Sequence, residues 1–368
     1  MSAFRRTFGV ATFAGAVALA VSLASSLQPP VAAQASASRL SDKEFQALMT
    51  GMSEAGGTFV TDNIISNELA FQDVIPELQR THRGAYIGVG PEQNFTYIVA
   101  LKPSIAFIVD LRRGNMLLQL MYKALVEISA DRAEFMSRLF ARPRPANVGV
   151  DTDAGALFSA YAAVPASEEL ASTNLRLVLD RLTSVHGFSL SDDDRQELGA
   201  VYRSLYRGGP RMRGDFGGGA WIPTYAELMS QVGASGRNDS YLGSEANFAT
   251  LKAYESNNLI VPLVGNFSGD KTLRALGRYL AEQKLVVGTF YASNVENYLF
   301  SDGSWKRFAA NLAALPVDDR ALLIRTYFTQ GLEGMRTVLD PIRPMLAAVA
   351  RGDIKTYDDV IVRSRVAQ

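Results

Sequence analysis

The sequence predicts an α/β protein: a Rossmann-like, doubly wound, mostly parallel sheet that carries a large helical insertion. Three observations predict it. Short, nearly continuous apolar runs recur at 85–90, 105–110, 259–265 and 285–291, as expected of parallel strands covered on both faces. Amphipathic segments such as 94–101 and 271–284 separate successive runs, which makes βαβ units. The first run ends in Gly88-Val89-Gly90, a glycine turn at the point where a helix starts.

The elements follow in order. Ser41-Asp42-Lys43-Glu44 is a capping box that opens a short helix through Phe45, Leu48 and Met49, ended by Gly56-Gly57. Ile75-Pro76 starts another helical turn, because proline suits the first helical position. The strand 85–90, the helix 94–101 closed by Lys102-Pro103, and the strand 105–110 form the first βαβ unit. Residues 115–255 read as a mainly helical insertion: Met116, Leu117, Leu120, Met121, Ala124 and Leu125 recur at helical spacing. Ser191 is an expected N-cap, and Gly208 to Gly219 an expected loop. The second βαβ unit is 259–265, 271–284 and 285–291, followed by a helix at 305–312 and a strand at 321–327. Pro262 cannot donate to a ladder, which places its strand at an edge or a bulge.

Residues 1–33 carry the parts of an export signal: Arg5 and Arg6, an uncharged and mostly apolar run at 8–24, the break at Pro29-Pro30, and small residues at Val31-Ala32-Ala33. Ala35-Ser36-Ala37 offers a second cleavage site. The apolar run is marginal against the roughly 20 residues a membrane span needs. Arg5-Arg6-Thr7-Phe8 matches the core of a twin-arginine signal, the route for folded, cofactor-loaded proteins. The expectation is a periplasmic protein of one domain, 34–368, with no stable membrane span after cleavage.

Composition excludes several classes. The 368 residues contain no cysteine and two histidines, His82 and His186. Disulfides, thiolate zinc sites and cysteine nucleophiles are ruled out, and no metal is predicted. Lys+Arg and Asp+Glu both number 37, so no basic surface points to nucleic acid. The run Arg138, Arg142 and Arg144 reads as a solvated helix end and turn. The expected partner is a small-molecule ligand.

The stretch from Gly88 to Tyr97 is the most informative. Glycines at a strand end let backbone approach a ligand, and Asn94 opens the helix behind them. Asp110 ends the next strand, where a carboxylate can bind both ribose hydroxyls. Position 93 is Gln, so a full G-x-G-x-x-G is absent, and Glu92 puts negative charge where a phosphate would sit. A ligand with ribose but no phosphate fits better. The other reading of Gly88 and Gly90 is tight strand-to-helix packing.

On these residues the segment 86–113 resembles the class I S-adenosylmethionine-dependent methyltransferases. The resemblance implies S-adenosylmethionine as cofactor, with Gly88 and Gly90 approaching it and Asp110 on its ribose. Glu92, Asn94 and Arg112 are the further cofactor-binding candidates. The whole chain resembles a family of exported bacterial proteins without an assigned activity, in Asp62 to Glu68, Gly88 to Tyr97, Val264-Gly265-Asn266-Phe267 and Ser293 to Leu299.

Asn266 and Glu296 each follow a strand end, on the ligand edge of a parallel sheet. Asn266 is the candidate to orient an acceptor and Glu296 the candidate general base; Ser293 reads as an N-cap. The polar run Asp62, Asn63, Ser66, Asn67 and Glu68 reads either as a lid over that edge or as turn chemistry. Arg112 or Arg113 either fixes Asp110 or binds an anionic substrate. Three functions stay open: a methyltransferase-like enzyme, a non-catalytic ligand-binding envelope protein that keeps the fold, and an acid/base enzyme on an envelope substrate using Glu296, Asp62 or Glu68.

Overall fold

Six strands form one sheet in the order β3-β2-β1-β4-β5-β6, in a computed structural model that describes residues 39–81, 83–214, 222–328 and 334–366. The expected leader, both cleavage sites and His82 lie outside the described residues. The strands are β1 (Ala85–Gly88), β2 (Ala106–Asp110), β3 (Ile260–Val264), β4 (Val287–Ser293), β5 (Val317–Phe328) and β6 (Met335–Pro341). All neighbours pair in parallel except β5 with β6. Every residue of β1, β2 and β3 is buried, which explains their unbroken apolar runs. The expected α/β class, with a mostly parallel Rossmann-like sheet, is the class observed. Pro262 sits on the edge strand β3, opposite Ile108, where its missing N–H costs no ladder bond.

The strand order reverses direction between β1 and β4. The chain winds from β1 out to β3 on one side and then returns to build β4, β5 and β6 on the other. In such sheets the crevice for a ligand opens beyond the carboxyl ends of the strands at this switch point.

Helices fill both connections. Gln93–Leu101 follows β1, and Thr272–Glu282 joins β3 to β4. The long excursion between β2 and β3 is helical from Arg113–Ile128 to Glu245–Ser256. Its first helix has no side-chain cap, and six others start on caps from Asp131, Asp153, Ser167, Ser191, Thr224 and Ser244. Ser41 and Ser191 both complete capping boxes, with Glu44 and Asp194. The first helix stops at Met52, ahead of Gly56.

The excursion is fastened by buried ion pairs. Lys123 Nζ lies 2.7 Å from Glu127, whose other oxygen meets Arg181 Nε and His186 Nε2, each at 2.7 Å. His186 Nδ1 also meets Asp42 at 2.8 Å. His186 is thus a satisfied buried histidine that pins the helix Asp42–Met52. The basic run lies at a helix end and turn as expected, with Arg144 exposed, and each of its arginines has a partner. Arg138 pairs with Glu134 and Arg144 with Asp131, while Arg142 donates to the carbonyls of Tyr161 and Val164.

Two features escape the sequence reading. β5 begins at Val317, and β6 returns antiparallel beside it. Ser293 is not the cap of the helix Val295–Ser301: Asn294 holds that position, and Ser293 has φ +53° with its hydroxyl given to Glu68. Among the described residues no helix is long and apolar enough to cross a membrane.

Candidate functional site

A cavity of about 420 Å³ opens where β1, β2, β3 and β4 end. Gly90, Asp110, Asn266 and Asn294 bring one strand end each to its wall. The segment 58–68 lies across it as a roof and contributes Thr58, Phe59, Asn63, Ser66 and Glu68. Phe59 meets Tyr298 edge-on, ring centroids 5.0 Å apart, and both rings line the cavity. The polar run therefore holds the lid position, and its hydrogen bonds reach across the molecule rather than closing local turns alone.

Gly90 is the glycine that faces the cavity. Its φ is +80° and a Cβ there would have nothing within 4 Å. Gly88 faces the other way, where a Cβ would collide with Asn94 Oδ1 and the Tyr86 ring. Gly88 is thus a packing glycine. Asn94 is an internal brace: its Nδ2 donates to the carbonyls of Val89 at 2.9 Å and Pro91 at 2.7 Å, and its Oδ1 accepts from Tyr86 Oη at 2.8 Å. Glu92 is fully buried and accepts the Ser66 N–H at 3.1 Å. Burial outweighs that bond and pushes its carboxyl up to about 7. Three of the expected cofactor contacts, Gly88, Glu92 and Asn94, therefore shape the turn and its roof without lining the cavity.

Asp110 and Arg112 do line it. Arg112 Nε and Nη2 each lie 3.2 Å from a carboxylate oxygen of Asp110, and the Arg112 N–H donates to Oδ1 at 2.9 Å. The remaining nitrogen donates to the Asp62 carbonyl of the roof. Arg113 plays a different part and pairs with Asp194 at 2.6 Å.

Asn266 also lines the cavity, with Oδ1 accepting from Ser268 N–H and Oγ, each at 2.9 Å. Glu296 does not. Its carboxylate is buried against Arg325 and receives Trp305 Nε1 at 3.4 Å. Arg325 in turn lies 2.7 Å from Asp340. The reason is helical phase. Val295, Tyr298, Leu299 and Asp302 face the cavity at successive helical steps, so Glu296 turns toward the core.

The sequence reading left Glu68 among several alternatives, yet it is the most connected polar group of the site. Its Oε2 accepts from Gln93 Nε2 at 2.9 Å and Thr326 Oγ1 at 2.6 Å, and its Oε1 accepts from Ser293 Oγ. Ser66 Oγ donates in turn to Gln93. Phe59, Tyr291 and Tyr298 form an aromatic wall that carried no sequence signal beyond core-like spacing.

The charged residues of the lining are Glu68, Asp110, Asp302 and Arg112. Among the described residues the single cation of the lining is already paired, so their charges leave the cavity with an excess of carboxylates. Among the described residues no group of three His, Cys, Asp or Glu is placed to hold a metal ion.

Fold and site define a Rossmann-like α/β protein with a cavity at the switch point. Residues 63–149 and 191–339 match a family described as a domain of unknown function, DUF7790, and the chain belongs to that family. The matched segments hold every cavity residue from Asn63 to Asp302. No curated protein matches the chain.

Proposed function

We propose that the cavity binds a nucleoside-type cofactor, S-adenosylmethionine, and that the protein is an exported methyltransferase-like protein. The observation that carries this is the pairing of Gly90 and Asp110 on one cavity wall, at the ends of adjacent strands. A carboxylate there can accept from both hydroxyls of a ribose, and the glycine leaves room beside it. Arg112 fixes the plane of that carboxylate, takes three of its four acceptor positions and leaves one, on Oδ2, for the ligand.

The electrostatics support a ligand without phosphate. Excess negative charge repels a pyrophosphate and tolerates a sulfonium cation. A volume of about 420 Å³ lies in the range of small-molecule sites. Methyl transfer needs an acceptor held in line with the sulfonium more than it needs a base. Asn266 is the residue that orients that acceptor, and Glu296 has no part in it. The leader takes the protein out of the compartment where S-adenosylmethionine is made. The twin-arginine route supplies a folded chain already loaded with it.

The test is calorimetry with S-adenosylhomocysteine on protein purified from cells expressing the full-length chain. Binding that disappears in Asp110→Ala is expected. No heat of binding at millimolar ligand overturns the reading.

A further inference from the structure

Eight carboxylates among the described residues are buried: those of Glu68, Glu92, Asp110, Glu127, Asp194, Glu255, Glu296 and Asp340. Five have a cation. Asp110 has Arg112, Glu127 has Lys123 and Arg181, Asp194 has Arg113, and Glu296 and Asp340 share Arg325. Burial pushes Glu92 and Glu255 up to about 7 and about 8, toward the neutral acid. Glu68 is held in a third way. Its three partners are a serine hydroxyl, a threonine hydroxyl and a glutamine amide, and all three donate to it. Among the described residues none of its partners is a cation.

Glu68 is also the carboxylate of this set, besides Asp110, that opens on the cavity. It is 3% exposed, so water screens it poorly. Its surroundings favour a positive guest. The rings of Phe59, Tyr291 and Tyr298 line the same space, and aromatic faces attract cations. Burial and then the charge of Glu68 push the Tyr291 phenol well above its ordinary value, so that hydroxyl stays a neutral donor.

We infer that the Glu68 end of the cavity is a subsite for a ligand bearing an ammonium group, held by an ion pair to Glu68 against the tyrosine rings. Position separates this subsite from the ribose end. Glu68 is held between β4 and β5 by Ser293 and Thr326, while Asp110 ends β2. With strands spaced about 4.8 Å apart, the strand that ends in Asp110 and those that anchor Glu68 lie roughly 10–14 Å apart along the sheet edge. A base and ribose docked at Asp110 would lie over β2 and β1, and the Glu68 end is where a second molecule would sit. In the methyltransferase-like reading that molecule is an acceptor amine; this assignment of role, and nothing else in the inference, rests on that reading.

The experiment compares benzylammonium with benzyl alcohol, matched in shape and lacking the charge, by ligand-observed NMR without cofactor on protein from the full-length chain. Benzylammonium is expected to bind at least about tenfold tighter. Glu68→Gln should remove the preference. Equal affinity for the two probes, no binding of benzylammonium at tens of millimolar, or a preference that survives in folded Glu68→Gln overturns the inference. Should Glu68→Gln fail to fold by circular dichroism, a wild-type crystal soaked in benzylammonium decides. Its nitrogen at about 2.8 Å from the Glu68 carboxylate supports the subsite; its nitrogen elsewhere overturns it. The S-adenosylhomocysteine measurement is separate, so failure of the amine subsite and failure of the nucleoside reading are told apart.

Discussion

Arg112 holds Asp110 from two residues away, with its guanidinium on both carboxylate oxygens at 3.2 Å and its backbone N–H on one of them at 2.9 Å. The same side chain donates to the roof at the Asp62 carbonyl. The acid that faces the cavity and the segment that covers it are therefore fixed by one cation.

Replacing that cation by an apolar chain of similar length, Arg112→Met, frees the Asp110 carboxylate to rotate and loosens the roof. Losing a charge-assisted pair of this kind costs about 1–2 kcal/mol. Affinity for S-adenosylhomocysteine is expected to fall roughly tenfold or more by calorimetry. Unchanged affinity would show that Asp110 needs no orienting partner.

The two glycines of the turn should behave differently. Gly88→Ala drives a methyl into Asn94 and Tyr86 and is expected to cost about 1–3 kcal/mol of stability, read as a lower melting temperature. Gly90→Ala meets open space but keeps φ at +80°, a strain of about 1 kcal/mol. Its melting temperature should move little while ligand affinity falls, because the new methyl projects into the cavity.

Glu296→Gln separates stability from binding. The substitution weakens one arm of the buried Arg325 network and leaves that cation short of a counter-charge, at a cost of about 3 kcal/mol. S-adenosylhomocysteine affinity should stay within about twofold of wild type. A selective loss of binding at unchanged melting temperature would return Glu296 to the site.

Buried carboxyls set opposite pH limbs. Burial pushes Glu127 up, but His186, Lys123 and Arg181 together outweigh it and hold the group at about 2, below its ordinary 4.5. Asp194 is held at about 2, chiefly by Arg113, below its ordinary 3.8. Their stabilisation is complete above the ordinary values and lost as pH falls toward 2. Glu92 and Glu255 are raised from 4.5 to about 7 and about 8. Their contribution is complete below 4.5 and lost as pH rises through 7 and 8. Thermal melts across pH should peak in mildly acidic buffer and decline on both sides. Glu92→Gln should flatten the alkaline limb. A wild-type melting temperature that climbs steadily from pH 5 to pH 8 contradicts the assignment.

The parallel sheet was legible because its strands are buried on both faces and write their burial directly into the sequence. Pro262 marked an edge for the same local reason. β6 was not legible: Arg336, Asp340 and Pro341 interrupt its apolar content, and Asp340 is tolerated because Arg325, from another strand, and Arg363, from the last helix, meet it. In the site, Asp110 was legible from strand-end position. Gly88 and Gly90 were not separable, since which glycine faces outward depends on the turn that Asn94 braces. Glu296 was misplaced because position after a strand names the edge but not the helical phase. Glu68 drew lid, turn and acid/base readings with nothing to choose among them, because its partners Gln93, Ser293 and Thr326 lie 25, 225 and 258 positions away.

Those separations bear on the order of assembly. The roof belongs to the first fifth of the chain, and its latch at Thr326 belongs to the last. A chain halted before β5 has made the glycine turn, Asp110 and the segment that covers them, but lacks the latch from Thr326 to Glu68. Bringing such distant partners together is slow relative to local helix formation. The hold on Glu68 from both β4 and β5 is thus complete only in the finished molecule.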